Sequence, residues 1–361
     1  MNILIIKLCS LGDTICSTPI IRKVKEKYPE SHLTMMTSIT YKEVFENNPY
    51  IDELKCTPSV TQYWEPGYSL LAYDTYVYTE VKRTRYDKVI NLNTLTFWGE
   101  YRRTGVHLAQ HYAEMADVYP IIPLKYEIYY DEKKVLGEIK SVCPHIVDTE
   151  NIFIHKGGGW GLKTIPEHQW IPIVTDLLEN TDKNIVFTGG KEDQLTGQLQ
   201  KDLENQRVYD VSGNLSLAAR HCLFKKASLY IGADSGPMHL ASAANCPSVA
   251  YYSVTSQYVG SPISDRFITI QSPASCAAPC GLVRCSTHQL CAKLIDPNHI
   301  LDAAYSILLN PNGKNEHRVG NRIGNRYFFG WENLSTLSDR PDLGNWVKEK
   351  PFLEPNWRLS Q

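Results

Sequence analysis

Apolar residues along this chain gather in short runs separated by amphipathic stretches. The run Ile3-Leu4-Ile5-Ile6 makes residues 2 to 7 a strand of the kind buried on both faces in a parallel sheet. A loop from Leu8 to Gly12 leads into a helical pattern from Asp13 to Lys27. Ile15, Ile20, Ile21 and Val24 form its apolar stripe, and Tyr28-Pro29 ends it. His32 to Thr37 and Asp87 to Leu92 read as further strands, and strand-helix-strand at this spacing predicts a doubly wound α/β unit.

A second series opens near Asn151. Ile152-Phe153-Ile154 reads as a strand, Trp170 to Leu178 as a helix, and Asn184 to Thr188 as a strand ending in Gly189-Gly190. Ala227 to Ala233 is another strand, followed by a helix from Gly236 to about Ala244, and Pro247 to Tyr252 closes the series. The expected organisation is a first domain over 1–148 and a second over 149–310 carrying a cysteine-rich loop at 273–295. A compositionally distinct tail, rich in Asn, Gly, Arg and Trp, follows over 311–361, reading equally as a wrapping segment or a partly ordered extension. Two such halves place a ligand cleft between the carboxyl ends of their strands.

Composition narrows the functional classes. With 361 residues and 43% hydrophobic residues, the chain is long enough for two ordinary cores. Its 37 basic and 39 acidic side chains leave no basic excess, which counts against nucleic acid as a partner. The apolar run at the amino end is too short for a signal peptide or a membrane span, so a cytoplasmic location is expected, with peripheral membrane association left open. In that compartment the ten cysteines do not suggest a disulfide framework.

One segment stands out chemically: Tyr230-Ile231-Gly232-Ala233-Asp234-Ser235-Gly236-Pro237-Met238-His239-Leu240-Ala241. A buried strand ends in Asp, Ser is placed to cap, and Gly-Pro opens a helix. Pro237 suits a first helical turn because its missing N–H would have no helical partner there. Gly236 lets a bulky group approach the backbone. The free amides and the positive end of the helix dipole suit a diphosphate, with His239 as an added donor. An ordinary capped helix with a surface histidine gives the same letters.

Several segments in order carry a resemblance that bears on this choice. They are Lys7 to Pro29, with a Gly-Asp pair after the first strand; Lys163 followed by Ile165-Pro166 and Trp170; Thr188-Gly189-Gly190-Lys191-Glu192; Gly213-Asn214-Leu215-Ser216-Leu217; and Asp234 to Ala241. Together they resemble glycosyltransferase family 9, the ADP-heptose heptosyltransferases of lipopolysaccharide assembly and their relatives. Ile165 departs from the family stretch, where Trp is common. The resemblance implies a GT-B fold, two Rossmann-like domains facing a cleft, with acceptor mainly on the first and nucleotide sugar mainly on the second.

It also implies roles. Asp13 is the expected base that takes the acceptor's hydroxyl proton in an inverting transfer; the plain alternative is a helix-start carboxylate. Lys163 is the expected cation at the departing diphosphate, where preorganised charge lowers the barrier. The nucleotide-sugar site is expected to use Gly12, Lys156, Gly189, Gly190, Glu192, Asp234, Ser235, Gly236, Pro237 and His239, with Glu192 on ribose hydroxyls. Lys156 precedes the run Gly157-Gly158-Gly159, which reads as a phosphate cradle or as a flexible loop. No acidic cluster marks a magnesium site, so metal-independent catalysis is expected. On the acceptor side, Asn93, Trp98, Tyr101, Arg102, Arg103, His107 and His111 suit an acidic or phosphorylated sugar, or else form an amphipathic helix with an Arg face.

Cys276, Cys280, Cys285 and Cys291 are separated by three, four and five residues, with His288 nearby. Four thiolates so close suit one tetrahedral structural ion, zinc or iron. Free thiols, or disulfides in an exported chain, are the alternatives. Some relatives, including protein heptosyltransferases, carry an iron-bearing finger at this place. A nicotinamide-dependent oxidoreductase would need Gly-x-Gly-x-x-Gly after the first strand, and Lys7-Leu8-Cys9-Ser10-Leu11-Gly12-Asp13 lacks it. The expected partners are a nucleotide-diphosphate sugar, by resemblance ADP-heptose, and a lipopolysaccharide-core or protein hydroxyl. The competing reading is a non-catalytic scaffold of the same fold with the cysteine loop as its interaction surface. Oligomeric state is left open.

Overall fold

A computed structural model describes residues 1–58, 79–93, 106–157, 161–274, 285, 288–319 and, for the backbone alone, 322–323. Strands β1 (Asn2–Ile6), β2 (His32–Ser38), β3 (Glu53–Thr57) and β4 (Lys88–Asn91) form a parallel sheet in the order β3-β2-β1-β4. A second sheet holds β5 (Asn151–His155), β6 (Asn184–Phe187), β7 (Val208–Asp210), β8 (Leu229–Ala233), β9 (Ser248–Tyr252), β10 (Phe267–Gln271), β11 (Glu316–Val319) and β12 (Arg322–Ile323). Its order is β12-β11-β10-β9-β8-β5-β6-β7, parallel through β11. Chain order reverses beside β1 in one sheet and beside β5 in the other. Crevices that take ligands open at the carboxyl ends of such strands.

The helices are α1 (Leu11–Cys16), α2 (Thr18–Lys27), α3 (Leu108–Met115), α4 (Glu132–Val142), α5 (Trp170–Asn180), α6 (Gly197–Asp202), α7 (Leu217–Phe224), α8 (Gly236–Ala243), α9 (Leu290–Lys293) and α10 (Pro297–Leu309). The single helix expected from Asp13 to Lys27 is two, broken at Ser17. Pro19 lies in the first turn of α2 and cannot donate to the carbonyl of Ile15. That carbonyl instead accepts from Thr18 Oγ1 at 2.8 Å, and Ser17 Oγ donates to Thr14 O at 2.7 Å.

β5, β8, β9 and β10 are buried along their whole length, which explains why they read as unbroken apolar runs. One face of the second sheet packs on α5 and α10 through Trp170, Ile173, Leu177, Ile300 and Ile307. The opposite face shares one core with the first sheet, joining Ile5, Ile15 and Tyr112 to Phe153, Phe224 and Met238. Residues 316–319, which composition set apart as tail, form β11 beside β10, helped by Phe267 N donating to Asn315 Oδ1 at 2.8 Å. Among the described residues, no helix is long and apolar enough to cross a membrane.

Candidate active site

The loop after β1 is tightly braced. Leu8 N donates to Asn93 Oδ1 at 2.9 Å, and Asn93 N donates to Asn91 Oδ1 at 3.0 Å, so the end of β4 holds the loop. Asn93, expected on the acceptor side, thus has a structural contact of its own. Ser10 takes φ 63°, an uncommon conformation for a residue with a Cβ, and starts α1. Asp13 follows in the first turn, with 24% of its side chain exposed and Oδ2 3.7 Å from the buried Nζ of Lys7. Lys7 Nζ also lies 5.3 Å from the centre of the Tyr112 ring.

Across the seam, Asp234 follows the end of β8 and α8 begins at Gly236. Lys163 Nζ donates to Asp234 Oδ2 at 2.8 Å and to Asp234 O at 2.9 Å. His239 Nε2 lies 3.6 Å from Asp234 Oδ1. Burial alone would neutralise Asp234, but Lys163 and His239 outweigh it and hold the carboxyl well below its ordinary range. Burial likewise opposes charge on His239, yet the sulfur of Cys16 and the carboxylate of Asp234 push it up to about 10. Lys163 and His239 thus both meet the Asp234 carboxylate at the start of a helix.

Two expectations for this segment change. Ser235 stands at the N-cap, but its side chain makes no capping hydrogen bond. Its Oγ lies 3.1 Å from His155 Nδ1 and donates to Ala233 O at 3.1 Å, because the side chain turns back toward β5. The surface histidine of the plain alternative is instead buried: His239 is 4% exposed, with Nδ1 3.5 Å from Cys16 Sγ and Nε2 toward Asp234.

The glycine turn after β6 is organised by Asp193, which the sequence reading passed over. Asp193 Oδ2 accepts from Gly190 N at 2.8 Å and lies 3.1 Å from His155 Nε2. Gly189 has φ 150°, and a Cβ there would stand 2.2 Å from Asp193 Oδ2, so glycine is required on both counts. Glu192 is exposed and folds over Gly190, leaving its carboxylate at the surface of the turn. Lys156 Nζ is held by Glu167 at 2.8 Å. His155 links this turn to Ser235, and the sequence signal for it was only its position at the end of a buried strand.

The two halves touch through this machinery. A Cβ on Gly12 would lie 2.6 Å from His239 Cδ2, and one on Gly236 2.7 Å from the Leu11 side chain. The turn ahead of β10 covers the pair, since a Cβ on Gly260 would lie 3.2 Å from Asp234 Oδ1. Gly12, Lys163 and the 234–239 segment thus gather at one place, with Asp13 next to Gly12, and Gly189, Gly190 and Glu192 follow β6, separated from β8 by β5.

Other residues singled out in the sequence fall elsewhere. His107 caps α3 by accepting from Ala109 N, and His111 is buried with Nδ1 3.4 Å from Glu114. Trp98, Tyr101, Arg102, Arg103, Cys276 and Cys280 lie outside the described residues. Cys285 and Cys291 share a small apolar cluster with Leu162 and Val254, beside Lys163. Among the described residues, no three His, Cys, Asp or Glu side chains group as a metal site.

The comparisons fit this geometry. The family model for glycosyltransferase family 9 (heptosyltransferase) matches residues 107–290, about half of the 361-residue chain. A putative glycosyltransferase of Haemophilus influenzae is 30% identical over 102 residues, 28% of this chain and 30% of that protein's length. Lipopolysaccharide heptosyltransferase 1 of Campylobacter coli is 20% identical over 303 residues, covering 72% of this chain and 85% of that one. The crystal structure of a family 9 glycosyltransferase from Veillonella parvula superposes with TM-score 0.65 at 20% identity, covering 86% of this chain and 97% of that chain. With its two Rossmann-like halves in GT-B arrangement and the family model matched over half its length, this chain is a member of glycosyltransferase family 9.

Proposed function

We propose that the chain moves a heptose from a nucleotide-diphosphate donor, ADP-heptose, to a hydroxyl of lipopolysaccharide core or of a protein, with inversion at the anomeric carbon. The observation carrying this reading is the contact of Gly12 with His239, which brings Asp13 to the helix start at Asp234–His239. Asp13 takes the acceptor hydroxyl's proton as the oxygen attacks the anomeric carbon. The bond to the diphosphate breaks on the opposite face.

The departing diphosphate meets the positive end of α8 beside the linked side chains of Lys163, Asp234 and His239. Asp234 keeps both cations in place and prevents their mutual repulsion from driving one proton off. Glu192, at the surface of the glycine turn, takes the ribose hydroxyls, and Lys156 adds a further cation near the donor. These groups supply the charge that a divalent ion supplies in other transferases, so catalysis is metal-independent.

The four cysteines at 276, 280, 285 and 291 hold a structural zinc or iron, which their spacing supports. The donor chemistry fits work at the cytoplasmic face of the inner membrane. The test incubates the full-length protein with ADP-heptose, other nucleotide sugars and candidate acceptors. Free nucleotide is measured, and the product's anomeric configuration is read by NMR. Release from ADP-heptose with an inverted product supports the reading. Binding of the donor without turnover would instead favour a non-catalytic scaffold.

A further inference from the structure

A line of polar side chains crosses the seam between the halves. His107 Nδ1 accepts from Ala109 N at 3.2 Å, so its proton sits on Nε2, which faces Ser261 O at 3.1 Å. Burial, helped by the charge of His239, holds His107 down to about 4, and therefore neutral. Tyr126 Oη lies 3.3 Å from His107 Nε2 and 3.1 Å from Cys16 Sγ. Cys16 Sγ lies 3.5 Å from His239 Nδ1. With His107 Nε2–H committed and Tyr126 buried in its neutral form, the Tyr126 O–H is available to donate to the sulfur. The sulfur thus meets a donor from each half.

Cys16 ends α1 three residues after Asp13, and residues so spaced share a helix face. Gly12, one residue before Asp13, touches the other edge of the same imidazole. One turn of α1 therefore clasps His239 at both ends and carries the carboxylate between them. A plain apolar side chain would fill this space, as buried cysteines often do. Polar atoms at 3.1 and 3.5 Å on opposite sides of the sulfur show a more specific use.

We propose that Cys16 is a positioning residue for transfer: its sulfur, by holding His239 Nδ1, fixes the helix carrying Asp13 against the helix that receives the diphosphate. This rests on the reading of Asp13 as base and of Asp234–His239 as diphosphate site. The ionisable groups facing His239 are Asp234 after β8, Lys163 from the turn before α5, Cys16 of α1, Tyr126 from the segment before α4, and His107 ahead of α3. Tyr252 of β9 lies near both Asp234 and Cys16.

The test compares Cys16→Ala, Cys16→Val and Cys16→Ser with the wild type. Two readouts are used: turnover with ADP-heptose and lipopolysaccharide-core oligosaccharide, and an NMR titration of His239 in the ligand-free full chain, assigned with His239→Gln. In the Ala and Val variants we expect the His239 midpoint to fall by about one pH unit, a tenfold loss of proton affinity. Their kcat should fall roughly tenfold or more through misplacement of Asp13, with ADP affinity nearly unchanged. Ser, which keeps a polar atom for Nδ1, should recover most of both.

An unmoved His239 midpoint in both Ala and Val overturns the proposal, as does wild-type kcat in either. Asp13→Asn run alongside separates the two readings. Normal turnover by that variant removes Asp13 as base, whereas its failure beside a fully active Cys16→Ala removes only the role of Cys16.

Discussion

The imidazole of His239, on α8, rests against the backbone of Gly12, on α1, so closely that a methyl group at Gly12 would stand 2.6 Å from Cδ2. Both atoms sit on helices with little room to yield, since His239 is 4% exposed and packs on Cys16. Gly12→Ala should therefore push α1 away from α8. We expect kcat to fall by about 100-fold, because a displacement near 1 Å at a reacting group has that effect. Comparison of kcat with ADP affinity checks it; equal loss in both would point to a collapsed donor site instead.

Lys163→Met leaves the buried Asp234 carboxylate facing only His239. Removing one partner of such a buried pair costs about 3 kcal/mol. Denaturant unfolding should show that loss, and nucleotide binding should weaken with it. A variant as stable as the wild type would mean that the pair is solvated in the working enzyme.

The pH dependence has a definite sign. His239 is raised from the ordinary imidazole value of 6.5 to about 10 in the folded chain. Its contribution to stability is thus fully present below 6.5, declines as pH rises, and is gone above about 10. Asp234 behaves oppositely. Its folded value lies well below 3.8, so its contribution is present above 3.8 and is lost on further acidification. The gap in Tm between wild type and His239→Gln should shrink steadily from pH 6.5 to 10; a constant gap would contradict the assignment.

His155 joins the two donor loops by its contacts to Asp193 and Ser235, each at 3.1 Å. His155→Ala should cost about 1–3 kcal/mol, the penalty of leaving the buried Asp193 without this partner. It should also weaken nucleotide binding more than it lowers kcat at saturating donor. Titration calorimetry with ADP, set beside steady-state kinetics, distinguishes the two effects.

Much of this was legible in the residues. Fully buried parallel strands announce themselves as apolar runs, so β1, β5, β8 and β9 were found. The Asp-Ser-Gly-Pro turn was found because each letter has a backbone reason. The break at Ser17 was missed because the apolar stripe Ile15, Ile20, Ile21 and Val24 runs on across Pro19, which removes a donor from the first turn of α2. β11 was missed because a half-buried strand next to the sheet edge, Glu316-His317-Arg318-Val319, shows almost no apolar signal. Cys16, Tyr126 and His155 escaped for another reason. Their partners lie up to 223 residues away, and no local pattern reports a contact made by tertiary packing.

The account stands most directly on Asp13. Turnover of ADP-heptose by Asp13→Asn, measured together with ADP binding, tests it. The expected result is nucleotide release reduced by about 1,000-fold or more, within the range of a lost general base, with ADP bound as by the wild type. Wild-type release by that variant would contradict the placing of the reaction at the contact between Gly12 and His239.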